Sequence, residues 1–229
     1  MFKKLFELWH KEDLLHQALK DAVKMLELAK ALYEKAVSPL EHFHPINPQQ
    51  IYDMDQQINT YEVQIRRKVL EHLSISPQQD TTAALVLTTI TVDIERIGDY
   101  AKNFTELWEL YGSSLDETSI LARLKNIHSN ITKMFDDTIS SFGQADVEAG
   151  RRVMESHIIN SKDCEEIIAA LIRTPAAAEN YAPNQEVMVA LAARYFKRIS
   201  AHLKNIASSV VNPFDRIGYK PESYKEYSG

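Results

Sequence analysis

What most narrows the fold of this chain is internal. Its second half repeats its first at a constant offset of 102 residues, without a gap: Leu32 falls on Met134, Tyr33 on Phe135, Val37 on Ile139, Leu40 on Phe142, Ile65 on Ile167 and Val69 on Leu171. Arg96-Ile97 falls on Arg198-Ile199, and Lys102-Asn103 on Lys204-Asn205. The repeated apolar positions recur at alternating steps of three and four, as in helices that bury one stripe along a shared seam. In the first copy one run is Leu15, Leu19, Ala22, Leu26, Ala29, Tyr33, Ala36 and Leu40, broken before Ile51 by Pro45 and Pro48. Ile51, Met54, Ile58, Tyr61, Ile65, Val69 and Leu73 make a second, closed by Ser76-Pro77. Ala83, Leu87, Ile90, Ile94, Ile97, Ala101, Phe104, Trp108 and Tyr111 make a third, stopped at Gly112. The second copy predicts helices over 120–142, 146–172 and 185–211, joined by Gly143-Gln-Ala-Asp and a proline-bearing loop. No segment reads as a strand. Short connections make successive helices antiparallel neighbours, so the expected fold is all-α: two pseudo-repeated three-helix bundles, six long helices in all. The first repeat covers 1–112 and the second 113–212. Residues 213–229, polar and tyrosine-rich, read as an extended or disordered tail.

Composition removes several function classes. Only 6 of 229 residues are glycine, against about 16 at average usage, which disfavours a glycine-rich nucleotide loop or a many-turned β-sandwich. A net charge of −6 argues against sequence-independent binding of nucleic acid. The single cysteine, Cys164, excludes an internal disulfide and a Cys-based zinc site. No apolar run is long enough to cross a membrane, and the charged, short start does not resemble a secretory signal; a cytoplasmic setting is expected. Phe2, Leu5, Phe6 and Trp9, interspersed with Lys3 and Lys4, form an amphipathic opening that either packs as the front of the first helix or docks on a membrane face.

The most specific stretch is Asp93-Ile-Glu-Arg-Ile-Gly-Asp-Tyr-Ala-Lys-Asn-Phe, on the third helix. Glu95 and Asp99 stand four apart and project from one face, where two carboxylates repel each other; Asn103 continues the row. Oxygen donors of this kind suit hard cations and several transition metals. The register puts the row beside the seam rather than in it, so the alternative is a solvated face with ion pairs to Arg96 and Lys102. Asp55 on the second helix lies at a similar depth in the hairpin and is a further candidate ligand, with Asn59 and Glu62 as weaker ones. Glu7-x-x-His10 and Glu41-x-x-His44 have the spacing of di-iron carboxylate motifs, but they sit at the chain start and against Pro45, where chance is the better account.

Glu95-Arg96-Ile97-Gly98-Asp99, with Ala101-Lys102-Asn103 beyond it, resembles the signature of the PhoU family of phosphate-uptake regulators. The stretch Asp55-Gln-Gln-Ile-Asn-Thr-Tyr-Glu-Val-Gln-Ile resembles that family's second-helix pattern, and Phe142-Gly-Gln-Ala-Asp146 the start of its repeat. The likeness spans about 14–211. It implies a role in phosphate homeostasis beside phosphate transporter components and a sensor kinase, at the inner membrane face, with a homodimer left open. It also implies that Glu95 and Asp99, which match the family's metal-holding Glu/Asp-x-x-x-Asp motif, hold a metal ion, divalent or trivalent, with Asp55 the additional candidate that hairpin depth suggests. The second copy departs from the pattern: Lys197-Arg198-Ile199-Ser200-Ala201-His202 puts lysine and alanine where the carboxylates stood, and His157 falls on Asp55. One metal site at most is expected, in the N-terminal half. The leading reading is therefore a non-enzymatic adaptor. An accessory subunit of an inorganic-phosphate permease is the alternative on the same fold, and a carboxylate-bridged metalloenzyme the alternative of another class.

Overall fold

The structure is a computed structural model and describes residues 13–75, 80–173 and 183–219. The amphipathic opening with His10, the Ser76-Pro77 stop, most of the 174–184 loop and the last ten residues lie outside these. Among the described residues six long helices run in order: α1 (Leu14–Val37), α2 (Pro48–Ile75), α3 (Thr81–Tyr111), α4 (Ser119–Gln144), α5 (Val147–Arg173) and α6 (Pro183–Val211). Short 3₁₀ turns follow α1 at Ser38–Leu40 and α6 at Phe214–Arg216. There is no strand among the described residues.

The helix starts follow local chemistry. Asp13 accepts from the His16 N–H at 2.9 Å and caps α1, while Thr118 caps α4 through the Leu121 N–H at 3.1 Å. Asp146 takes both the Glu148 and the Ala149 N–H at 3.0 Å and starts α5. Each such cap satisfies a donor that the helix itself leaves open, worth about 1 kcal/mol. α3 ends as expected on Gly112 in the left-handed region, φ 70°.

α1, α2 and α3 pack on one another, as do α4, α5 and α6; the two trios join where α3 meets α6 and α1 meets α4. The repeats share one continuous core. At its centre the buried Tyr33 ring lies 5.1 Å from that of Phe135 and 6.4 Å from that of Phe196, which in turn lies 4.8 Å from Phe104. The Tyr33 hydroxyl meets His128 Nδ1 at 2.8 Å, so the buried phenol has the polar partner it needs. All four rings stand on repeated seam positions: Tyr33 and Phe135 are equivalent at the offset, and Phe196 and Phe104 fall on Ile94 and Ile206.

Two expectations are corrected. α4 does not stop at Gly143 but runs to Gln144, and the chain turns at Ala145, a non-glycine residue at φ 57°. Asp146 N–H bonds back to the Ser141 carbonyl at 3.1 Å and the Asp146 carboxylate caps α5, so the two helix-end motifs hold the turn despite the cost of that φ. Residues 213–219 are not an extended tail. Gly218 N–H donates to Ser208 Oγ at 2.7 Å, and Asn212 Nδ2 donates to the Arg216 and Tyr219 carbonyls at 3.0 Å each, folding the segment back on α6.

Candidate metal centre

The hairpin of α2 and α3 brings the predicted residues to one place. Gly98 faces α2 closely: a Cβ there would stand 3.2 Å from Ile58 Cδ1 and 3.5 Å from Asp55 Oδ1. The glycine in the middle of the motif therefore lets α3 press against α2 at the height of Asp55. Asp55 is buried, while Glu95 and Asp99 sit at the rim, their side chains 21% and 32% exposed.

Two positive groups answer these carboxylates, and a third pairs with a neighbouring one. Lys102 Nζ donates to Asp55 Oδ2 at 3.0 Å and to Asp99 Oδ1 at 3.3 Å, so one ammonium ties α2 to α3. Arg96 donates to Asp99 at 3.1 Å and lies 3.7 Å from Glu95. Arg66 pairs with Glu62 at 2.7 Å on the neighbouring turn of α2. Burial works against the Lys102 ammonium, but its hydrogen bonds and charge pairs with Asp55 and Asp99 prevail and raise its pKa. Glu95 shows where negative charge is in excess. Burial first and the Asp99 carboxylate next push its pKa up; Arg96 opposes them, and Glu62 and Asp55 add to the rise.

These residues fit an oxygen-liganded cation in donor type and in charge. The position between Asp55 and Asp99 is, however, held by Lys102, which does there what a cation would do. Asp55, Glu95 and Asp99 do not gather their oxygens as tightly as another group does, described below. Asn59 is exposed on α2, and Asn103 is half-buried. Glu41 and His44 are exposed in the loop after α1, with His44 bonded to Ser38 Oγ and the His42 carbonyl, so that motif faces no core.

The second repeat keeps the place and changes the chemistry. His157 Nδ1 meets Ser200 Oγ at 3.0 Å, the counterpart of the Asp55–Gly98 contact. Lys197, in the place of Glu95, pairs with Glu165. Lys204, in the place of Lys102, has lost both carboxylates and donates to the Gly218 carbonyl. Burial, then Lys204 and Lys197, lower the His157 pKa to about 4. A cavity of about 460 Å³ opens here, lined by Met154, His157, Ile158, Ser161, Lys204 and Tyr219 among others. Its charged lining is mixed, Lys162 and Lys204 with Glu155 and Glu165, and Lys197 and Ala201 stand where the carboxylates of the first-repeat motif would be. His202 is buried and its Nδ1–H donates to Asp93 Oδ1, 2.7 Å away on α3. Buried Cys164 has its thiol pKa pushed up to about 12, by burial before all else, and is no nucleophile.

Spacing along the chain did not disclose a third grouping. Asp13, His72 and Asp80 each present a ligand atom, all within 4.8 Å of one another. His72 lies in the last turn of α2, Asp13 precedes α1 and Asp80 precedes α3. The only local signal was that both aspartates precede helices, which reads as capping.

The PhoU domain family matches residues 22–107 and 124–210, two segments whose starts differ by the same offset as the repeat. The chain belongs to this family. A phosphate-specific transport system accessory protein, PhoU homolog 1 of Thermotoga maritima, is 21% identical over 193 residues, 83% of each chain. PhoU from Pseudomonas aeruginosa superimposes with a TM-score of 0.76 at 22% identity, over 86% of this chain and 95% of that one. The phosphate transport system regulatory protein PhoU from Streptococcus pneumoniae gives 0.72 at 15% identity, over 86% and 92%. The double three-helix fold is thus shared with both. Among the described residues no helix is long and apolar enough to cross a membrane.

Proposed function

We propose that the protein is an accessory regulator of phosphate transport, a cytoplasmic helical adaptor that acts at the inner membrane face through transporter components and a sensor kinase rather than by catalysis. The observation that carries this is the match of the PhoU family to both repeats, one after the other, over most of the chain. The relative from Thermotoga maritima supplies the transport context. An adaptor of this kind works by differential binding: it shifts a partner only as far as it prefers one of the partner's states. Its long helical faces provide the surface for that preference. Co-purification of the tagged full chain from phosphate-limited and phosphate-replete cells tests the reading. Recovery of an ATP-driven phosphate transporter supports it; recovery of a permease alone would replace it with the accessory-subunit reading.

Asp55, Glu95 and Asp99 are proposed to hold a metal ion in the first repeat. Asp55 and Asp99 would supply oxygens from two helices, Glu95 a third, and the ion would take over the bridging role of Lys102. Elemental analysis of the purified protein beside Glu95→Ala/Asp99→Ala checks this. Equal metal content in the two would remove the assignment and leave the fold untouched.

A further inference from the structure

Three helix ends meet at one corner of the first bundle, and what they bring together differs in kind from the carboxylate row on α3. His72 and Asp80 are largely shielded, with side chains 7% and 13% exposed, and Asp13 is half-buried beside them. His72 Nε2 stands 3.1 Å from Asp80 Oδ2. All three ligand atoms lie within 4.8 Å of one another, and donors around a shared ion at about 2.1 Å stand about 3–4 Å apart, so a modest contraction closes the set.

Ordinary helix capping accounts for only part of this. Asp13 Oδ1 does cap α1. Asp80 stands at the N-cap of α3 yet makes no side-chain cap bond; its carboxylate is turned to His72 instead. Among the described residues no lysine or arginine pairs with Asp13 or Asp80, whereas the next aspartate on α1, Asp21, is bonded to Lys68 at 2.6 Å. A half-buried and a largely shielded carboxylate thus lie with one imidazole in a group that no lysine or arginine among the described residues enters.

We propose that Asp13, His72 and Asp80 form a metal site of their own, independent of the carboxylate row, for a divalent first-row transition ion such as Zn²⁺, Mn²⁺, Fe²⁺ or Co²⁺. One imidazole nitrogen with two carboxylate oxygens is a donor set that these ions accept and that Ca²⁺ and Mg²⁺ do not favour. Three protein ligands leave coordination positions for water. The ion would staple the start of α1 to the end of α2 and the start of α3, so its binding would stabilise the folded chain. The site goes beyond the single one that the motif on α3 leaves in this half.

Co²⁺ titration of the full chain tests it, followed by visible absorption and by melting temperature. The background is Glu95→Gln/Asp99→Asn, which silences the carboxylate row. One Co²⁺ per chain is expected, with a d–d absorption band and a rise in Tm. Adding Asp13→Asn/Asp80→Asn should weaken binding at least tenfold. Asparagine caps helices as well as aspartate, so the metal-free Tm should hold while the affinity falls. His72→Gln should weaken binding likewise and abolish the nitrogen-ligated band. Absence of Co²⁺ binding in the Glu95→Gln/Asp99→Asn background, or an affinity unchanged by Asp13→Asn/Asp80→Asn, overturns the proposal. Neither result bears on the carboxylate row, which the wild-type protein reports separately.

Discussion

At the scale of single residues, the two copies of the site carry opposite electrostatics, and pH separates them. Glu95 has its folded pKa raised above 4.5, so the folded state keeps the proton longer than the unfolded chain and stability falls as pH rises through that window. In chelator-treated protein, Glu95→Gln should be more stable than the parent at pH 7, an advantage that disappears as pH drops to about 4.5. His157 has the reverse sign: with its pKa lowered from 6.5 to about 4, the unfolded chain takes up the proton first and stability is lost as pH falls between those values. His157→Gln should recover about 1–2 kcal/mol of that loss, less than the full shift because the ring is partly solvated. Urea midpoints from pH 4 to pH 7.5 check both; parallel profiles for parent and variants would refute them. Lys102 yields a further expectation. Lys102→Met strips buried Asp55 of its ammonium and should cost the metal-free protein about 1–3 kcal/mol, while raising the affinity for an added divalent ion about tenfold by removing a competing charge. Titration calorimetry beside chemical denaturation reads both. Glu95 and Asp99 were legible because four residues return a helix to the same face, and Asp55 because a hairpin fixes depth. The role of Lys102 was not: sequence placed it beside Asp99, and only the close approach at Gly98 shows that its ammonium also reaches across to α2. Asp13, His72 and Asp80 were less legible still, because loop paths and not helical periods decide where helix ends meet.

At the scale of elements, glycines test how closely the helices approach. Gly150 on α5 is packed hard: an added Cβ would stand 2.8 Å from Ser141 Oγ on α4, 2.8 Å from Val211 Cγ2 and 3.2 Å from the Ala207 carbonyl on α6. A backbone carbonyl cannot swing aside, so Gly150→Ala should destabilise by about 1–3 kcal/mol despite alanine's better helix propensity. At Gly98 the nearest atom is the flexible end of Ile58, and Gly98→Ala should be within about 1 kcal/mol of neutral, the propensity gain offsetting the crowding. Denaturant unfolding of the two variants checks the ranking, and an equal cost would contradict it. The helices themselves were legible from periodicity, because each buries a single stripe. Their joints were less so. Gly143 looked like a stop, yet it lies inside α4 and the turn falls on Ala145, where the cap geometry of Asp146 outweighs the usual preference for glycine. The 213–219 segment looked polar and therefore free; its order comes from Ser208, Asn212 and Lys204 on and just after α6, whose hydrogen bonds no hydropathy pattern reports.

At the scale of the whole molecule, the duplication built one body and not two. If each repeat had its own core, α3 and α6 would meet through a polar surface. Instead Phe104 of α3 packs on Phe196 of α6, Tyr33 of α1 on Phe135 of α4, and buried side chains continue from one trio to the other. Polar contacts between the repeats add to this, Lys30–Asp136 and Tyr33–His128 between α1 and α4 and a further set between α3 and α6. Asp93 on α3 accepts from Asn205 Nδ2 at 2.9 Å and pairs with His202 Nδ1, while Arg198 Nε donates to the Tyr100 hydroxyl at 3.1 Å. His202 Nε2 is buried without a hydrogen-bond partner, so Asp93 carries the whole polar satisfaction of that ring. Asp93→Ala would leave the His202 Nδ1–H and the Asn205 amide short of an acceptor, at a cost of about 2–3 kcal/mol. Because the core is continuous, that cost should lower the stability of both repeats together: Trp108 fluorescence, read in a Trp9→Phe background so that it reports on α3, and far-UV circular dichroism, which reports on all six helices, should shift by the same amount and stay superimposed. A fluorescence transition that separates from the dichroism, in the parent or in Asp93→Ala, would show two independently folding halves, and the shared aromatic centre could not then be what joins them.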